Sequence, residues 1–291
     1  MATAEAEQML EELLSNRERR IETLLKIEDK QRQLVPFHIQ AIQRDMLTTQ
    51  TGRDIYVKPA QIGATSIFMA DYLLDTIFNR GTVSVIISYE EFITARLLRK
   101  AQAYYDNLLK EVPSIPRMHH SSSFEKTFPD INSSFYIGSA RAYTFGRGET
   151  IHNLLMDEYA FWDDSSVERI TAPILERVPP NGRIGILSTP NGEATAHHDL
   201  YVTAKEGKEI GKSTFTAHAY FWFQHEEYFI PRGSSQALPG DAYDLDYTAE
   251  EEILIANYNL TEDQIRWRRY KIVELEQLRL GGTSRVLFSQ E

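Results

Sequence analysis

The 291-residue chain carries 31 Lys and Arg against 42 Asp and Glu, a formal net charge of −11, with 42% hydrophobic and 25% charged residues. That balance belongs to a globular protein with a sizeable core and excludes wholesale disorder, and the negative charge argues against coating nucleic acid over the whole surface while leaving room for a local basic groove. Cysteine is absent, which removes disulfides, thiolate metal sites and thiol nucleophiles, and no apolar run reaches the roughly 20 residues of a membrane-spanning helix.

The N-terminal stretch contains Glu5, Glu7, Glu11 and Glu12 and so lacks the basic and apolar blocks of a signal peptide. A cytoplasmic protein is expected. From Ala4 to Gln33, Leu10, Leu13, Leu14, Ile21, Leu24, Leu25 and Ile27 recur at helical spacing, which predicts one or two amphipathic helices forming an arm over residues 1–34. A short helix is predicted over Phe37 to Leu47. The chain then alternates: strand Ile55 to Val57, helix Ala64 to Phe78, strand Val83 to Ser88, helix Glu90 to Glu111, and strands over Ser133 to Ile137, Leu154 to Asp157 and Ile184 to Ser188. Strands separated by helices of this length imply a mostly parallel α/β sheet. A further strand is predicted within Phe215 to Phe223. Two helices follow, Ala249 to Asn257 and Thr261 to Leu280, the latter opened by a Thr261/Gln264 capping box and stopped by Gly281 and Gly282.

Three segments carry the chemistry. The first, Lys58-Pro59-Ala60-Gln61-Ile62-Gly63-Ala64-Thr65-Ser66, follows a strand and opens a helix, the context of a phosphate-binding loop. There the backbone N–H groups at the helix start converge on an anion, and a Ser or Thr hydroxyl reaches Mg²⁺. Ala64 occupies the usual lysine slot, and Lys58 stands at the front of the loop instead. Taken alone, the segment also reads as an ordinary strand-to-helix turn.

The second is the apolar strand Asn153-Leu154-Leu155-Met156 ending in Asp157-Glu158. Adjacent side chains leave a strand on opposite sides, so one acid can hold a metal while the other activates water. An acidic pair can also simply end a strand. The third, Ile186-Leu187-Ser188-Thr189-Pro190-Asn191-Gly192, puts small hydroxyl residues at the carboxyl end of another strand, where open α/β sheets bind ligands.

With Phe37-His38-Ile39-Gln40 ahead of them, these motifs stand in the order found in the large terminase subunit of tailed bacteriophages, and from about Val35 onward the chain resembles the ATPase domain of that family. The resemblance implies a P-loop NTPase fold of the additional-strand, catalytic-glutamate type, with a mostly parallel central sheet flanked by helices. It implies ATP and Mg²⁺ as cofactors and ATP-driven translocation of double-stranded DNA. It further implies a homo-oligomeric ring and, as partners, a portal and a small terminase subunit, in the cytoplasm of the infected host and transiently at the procapsid.

Residue by residue, the resemblance assigns Gln40 to the adenine, Lys58 to the phosphates, and Gln61, Ile62, Gly63, Ala64, Thr65 and Ser66 to the loop that cradles them. Thr65 and Asp157 would hold Mg²⁺, with Glu158 as catalytic base and Ser188 and Thr189 as the coupling motif. Arg147, in Phe145-Gly146-Arg147-Gly148, corresponds to an arginine that reaches a neighbouring subunit's ATP; Arg141 is its competitor, and either can instead be a solvated or DNA-contacting side chain. The ATPase domain is expected over 35–284, with a helical subregion at about 248–282. Residues 285–291 would begin the linker to a nuclease domain lying outside the chain. A helicase-like ATPase and a nucleotide-binding module without hydrolysis are the competing readings, the latter because of Ala64.

Two further groups are read as inert. Trp267, Arg268, Arg269 and Lys271 share a helix with Glu274 and Glu276 and form a solvated face, and Asp241, Asp244 and Asp246 lie in a solvated loop. The adjacent pairs His119-His120 and His197-His198 point apart and do not chelate.

Overall fold

The computed structural model describes residues 11–29, 31–120, 124–141, 149–208 and 210–277, and the chain divides into two units, Met1–Tyr220 and Phe221–Glu291. The first unit opens with helix α1 (Arg17–Leu24), capped by Asn16, whose side chain accepts from the Arg19 N–H at 2.9 Å. Apolar spacing predicts helix as far as Gln33, but Leu25 is extended and the chain folds into an antiparallel hairpin. Its strands are β1 (Lys26–Glu28) and β2 (Leu34–Pro36). The Asp29 carboxylate causes the reversal, accepting from the Gln31 and Gln33 N–H groups at 2.8 and 2.7 Å, a local turn that competes with helix. Residues 37–40 are extended as well, tied down by the Phe37 N–H on the Leu25 carbonyl and the Ile39 N–H on Glu22. Helix α2 therefore spans Ala41–Thr48 instead of starting at Phe37.

Strand β3 (Arg53–Val57) then leads into helix α3 (Ala64–Phe78), and β4 (Val83–Ser88) into α4 (Glu91–Glu111). Strands β5 (His119–His120), β6 (Glu125–Phe128), β7 (Ser133–Ser139) and β8 (Asn153–Asp157) follow. The unit closes with α5 (Asp164–Leu175), β9 (Arg183–Ser188), α6 (Ala196–Gly207) and β10 (Thr216–Ala219). Among the described residues these strands form one eight-stranded sheet, ordered β10-β3-β9-β8-β4-β7-β6-β5. The strands from β10 to β7 in that order pair in parallel, and β6 and β5 finish the edge antiparallel. The expected mostly parallel central sheet flanked by helices is the observed one, with β9 lying between β3 and β8.

Alternation along the strands splits the core in two. Tyr56, Ile86, Phe135, Ile137, Leu155 and Leu187 pack with α3 and α4. Ile55, Val85, Ile87, Leu154, Met156, Ile184 and Ile186 pack with Ile170 and Ile174 of α5 and Ala204 of α6. Burying each such side chain contributes about 1.5–3 kcal/mol, which is why a sheet covered on both faces shows near-continuous apolar strands.

One polar cluster interrupts the first face. Asp71 of α3 is fully buried and accepts from Arg17 (3.0 and 2.6 Å), Arg20 (3.4 Å) and Arg183 (2.6 Å). Burial pushes the Asp71 carboxyl up, but the Arg183 and Arg17 guanidiniums outweigh it and hold the group at about 2. The cluster fastens α1 to α3 and α3 to the start of β9.

The second unit contains α7 (Ala249–Tyr258) and α8 (Glu262–Gln277) around a core of Trp222, Leu260 and Ile265. The predicted capping box is present: the Thr261 N–H donates to Gln264 Oε1 at 2.9 Å and the Gln264 N–H to Thr261 Oγ1 at 3.3 Å. The solvated reading of α8 is overturned. Arg266 and Arg268 are buried, and Arg269 donates to Glu251 and to Asp241 (2.8 Å). Trp267 stacks on Trp222 and Tyr228 at 5.1 and 4.3 Å. Asp241 is thus a fixed partner rather than a solvated loop acid, while Asp244 pairs with the exposed Arg232. Gly281, Gly282 and residues 285–291 lie outside the described residues.

Candidate active site

The loop after β3 is shaped by two left-handed residues, Gln61 (φ 62°) and Gly63 (φ 71°). Gly63 is the N-cap of α3, and a Cβ there would stand 2.3 Å from Gln43 Nε2, so both backbone conformation and space demand glycine. The turn presents the amino end of α3, whose first N–H groups lack acceptors within the helix, at the carboxyl ends of the strands. Ile62 and Ala64 are buried beneath it, while Gln61 is exposed.

Gln43, which sequence reasoning passed over, holds this loop in place. Its Nε2 donates to the Ile62 carbonyl and its Oε1 accepts from the Gln40 N–H, both at 3.1 Å. The available signal was the glutamine three residues after the helix N-cap, the spacing of a capping box. Gln40 is that N-cap, and its amide oxygen is buried without a hydrogen-bond partner among the described residues.

Lys58 continues the pairing of β3 with β9, its N–H donating to the Ser188 carbonyl at 3.1 Å. Its side chain is buried and Nζ donates to Glu158 Oε1 at 2.9 Å. Thr65 Oγ1 donates to the two Asp157 carboxylate oxygens at 3.0 and 3.1 Å. Glu158 Oε2 accepts from both the N–H and the hydroxyl of Thr189 at 3.2 Å. Ser188 lies behind, its hydroxyl accepting from the Ala160 N–H at 3.1 Å. Lys58, Thr65, Asp157, Glu158 and Thr189 therefore meet in one place, at the carboxyl ends of three neighbouring strands, β3, β9 and β8.

Strand alternation is not what aims Glu158. Strand β8 ends at Asp157, and Glu158 is left-handed (φ 51°) at the head of a 3-10 turn over Tyr159–Phe161. A non-glycine residue held in this region costs of order 1–3 kcal/mol and persists where surrounding contacts enforce it, commonly at functional sites. Trp162 Nε1 on the Asp157 carbonyl (3.1 Å) and Asn191 on the Ala160 carbonyl (3.1 Å) are such contacts. Asp157 is buried, which pushes its carboxyl up to about 6; the Lys58 ammonium opposes that shift and the Glu158 charge adds to it.

The remaining predicted residues are less central. Ser66 points away from Asp157, its hydroxyl bonded to Lys100 of α4. Arg141 is exposed and donates to the Tyr89 hydroxyl at 2.8 Å, with its guanidinium 4.9 Å from that ring. Arg147 lies outside the described residues. Among the described residues no three His, Asp or Glu side chains are grouped to hold a metal by themselves. The His197 ring donates to the Tyr56 carbonyl at 3.2 Å, and burial lowers its pKa to about 4.

No protein-family model and no curated protein matches the sequence. Solved structures do. The large terminase of bacteriophage HK97 superposes with a TM-score of 0.58 at 14% identity, over 91% of this chain and 52% of that one. This chain has the fold of a terminase ATPase domain. The large terminase ATPase domain of Thermus phage P74-26 gives a TM-score of 0.50 at 17% identity, over 65% of this chain and 83% of that domain. The chain therefore spans about half the length of the HK97 large terminase it matches. At these identities it is the terminase fold, not any residue's role, that carries across.

Proposed function

We propose that this chain is a Mg²⁺-dependent ATPase that drives double-stranded viral DNA into a procapsid. The observation that carries the reading is the convergence of Lys58, Thr65, Asp157, Glu158 and Thr189 at the amino end of α3. A triphosphate laid on the α3 terminus and the 61–66 turn receives backbone N–H donors and the Lys58 ammonium. The orphaned amide oxygen of Gln40 suits the exocyclic amine of adenine.

The donor set fits a hard cation: Thr65 hydroxyl and Asp157 carboxylate, already in contact, are oxygen ligands of the kind Mg²⁺ takes alongside phosphates. When bound, that ion supplies positive charge beside the phosphate oxygens. Glu158 takes a proton from a water as the water oxygen bonds to the γ-phosphorus and the bond to the ADP oxygen breaks. ADP leaves with the bonding pair, and the proton passes from Glu158 to solvent. Thr189, bonded to Glu158 through both backbone and hydroxyl, orients the base and reports on it from β9, with Ser188 supporting that strand end. Arg147 is assigned as a charge-stabilising residue donated to a neighbouring subunit's nucleotide.

Double-stranded DNA, a homo-oligomeric ring, a portal and a small terminase subunit as partners, in the cytoplasm of the infected host, belong to the same proposal and rest on the resemblance of the motifs to the terminase family. No helix among the described residues is long and apolar enough to cross a membrane. Phosphate release measured with Mg²⁺, with and without linear duplex DNA, tests the proposal. Turnover that rises with DNA and disappears in Glu158→Gln supports it; no turnover in any assembly state overturns it.

A further inference from the structure

Lys100 is the largest unexplained charge near the loop. It lies on α4, half-buried, with Nζ 2.5 Å from Ser66 Oγ and 6.0 Å from the Tyr104 ring centroid. Among the described residues it forms no ion pair with a carboxylate. The charge that acts on it is the cation of Arg96, one turn earlier on the same helix. An ammonium removed from water without a counter-charge is unfavourable, and burial accordingly lowers its pKa, with Arg96 adding to the effect.

Its placement relative to the loop is specific. Thr65 and Ser66 are the second and third residues of α3 and leave the helix about 100° apart. Thr65 turns toward Asp157 and the Lys58–Glu158 pair, and Ser66 turns toward Lys100. The first turn of α3 is thus flanked by one cation on the Glu158 side, Lys58, and a second on the α4 side, Lys100. Ala64, the first residue of the helix, supplies none.

We propose that Lys100 is a nucleotide-binding residue that contacts the non-transferred phosphates of ADP and ATP, with Ser66 positioning its ammonium. The inference rests on the assignment of the loop as the nucleotide site. It divides the work between two lysines: Lys58 serves the phosphate next to Glu158, and Lys100 holds the phosphates retained in the product.

Calorimetric titration of the whole chain with ADP and with a non-hydrolysable ATP analogue, in Mg²⁺, tests this. Lys100→Met keeps the aliphatic stem and should weaken both nucleotides by the same factor, about ten- to hundredfold for one charge-assisted contact. Lys58→Ala should weaken the triphosphate analogue more than ADP, and Lys100→Arg should retain most of the affinity. Melting in the absence of nucleotide separates a structural role, since loss of an unpaired, desolvated ammonium should leave the midpoint unchanged or raise it. Unchanged ADP affinity in Lys100→Met, or a lowered melting midpoint with proportionate loss of binding, overturns the role of Lys100 while leaving the site intact. Failure of the wild-type chain to bind either nucleotide overturns the site itself.

Discussion

The Lys58 ammonium and the Glu158 carboxylate form an ion pair of 2.9 Å between positions 100 residues apart, joining the loop after β3 to the end of β8. Lys58 is nearly buried, with 5% of its side chain exposed against 27% for Glu158, so the ammonium has exchanged water for this one carboxylate. A phosphate entering the loop competes for the same ammonium and frees Glu158 to receive a proton. Glu158→Gln should therefore lower turnover about 10²–10⁴-fold while leaving analogue binding intact or tighter. Lys58→Ala should lose both. Single-turnover phosphate release paired with calorimetry checks the contrast.

Gln43 and Gly63 should behave as a coupled pair. Gln43→Ala orphans the buried Ile62 carbonyl, a loss of about 1–3 kcal/mol, and the loosened loop should raise KM for ATP. Gly63→Ala must force a left-handed alanine against Gln43 Nε2, 2.3 Å from the new Cβ. In a double-mutant cycle read by urea unfolding, Gln43→Ala should relieve part of the Gly63→Ala cost, giving a non-additive total.

The Asp71 cluster sets an acid limit on stability. Asp71 titrates at about 2 in the fold against an ordinary value of 3.8, so its contribution is complete above pH 3.8 and is lost as pH falls from there toward 2. Asp71→Ala leaves Arg17, Arg20 and Arg183 facing one another and should cost about 3–5 kcal/mol at neutral pH. Denaturant midpoints at pH 7 and in the acid range measure both effects; a neutral-pH loss below 1 kcal/mol would contradict the assignment.

His197 imposes a second pH dependence in a different window. Buried and neutral, it titrates at about 4 in the fold against 6.5 ordinarily, so stability from this group is whole above pH 6.5 and declines as pH falls through 6.5 toward 4. A His197→Gln variant should show a flatter stability profile between pH 7 and 5 than the wild type, as read from urea midpoints.

Where local chemistry decided the outcome, the sequence was readable to the residue. Helix α3 and strand β4 match their predicted bounds because a predominantly apolar segment follows a glycine cap in one and a turn in the other. Gathering the loop and the acidic pair at one end of the sheet followed from the parallel α/β pattern. The hairpin at Lys26 was hidden because Leu24, Leu25 and Ile27 continue a helical spacing that the Asp29 turn overrides. The arginines of α8 were misread because their partners, Asp241, Glu250 and Glu251, come from elsewhere in the chain. Lys100 was invisible for the same reason, and for Gln43 the capping-box spacing was legible but its bond to the Ile62 carbonyl on another element was not. Helices α5 and α6, one holding an internal Pro173 and the other two histidines, broke the apolar rhythm that marks a helix.

The most direct measurement is a crystal structure of the chain with a non-hydrolysable ATP analogue and Mg²⁺. The triphosphate should lie on the 61–66 turn, with its terminal phosphate at Lys58 and beside Glu158, the metal at Thr65 and Asp157, and the base near Gln40. Electron density for the analogue at any other location, with the Lys58–Glu158 pair still closed, would contradict the nucleotide site on which the whole functional reading depends.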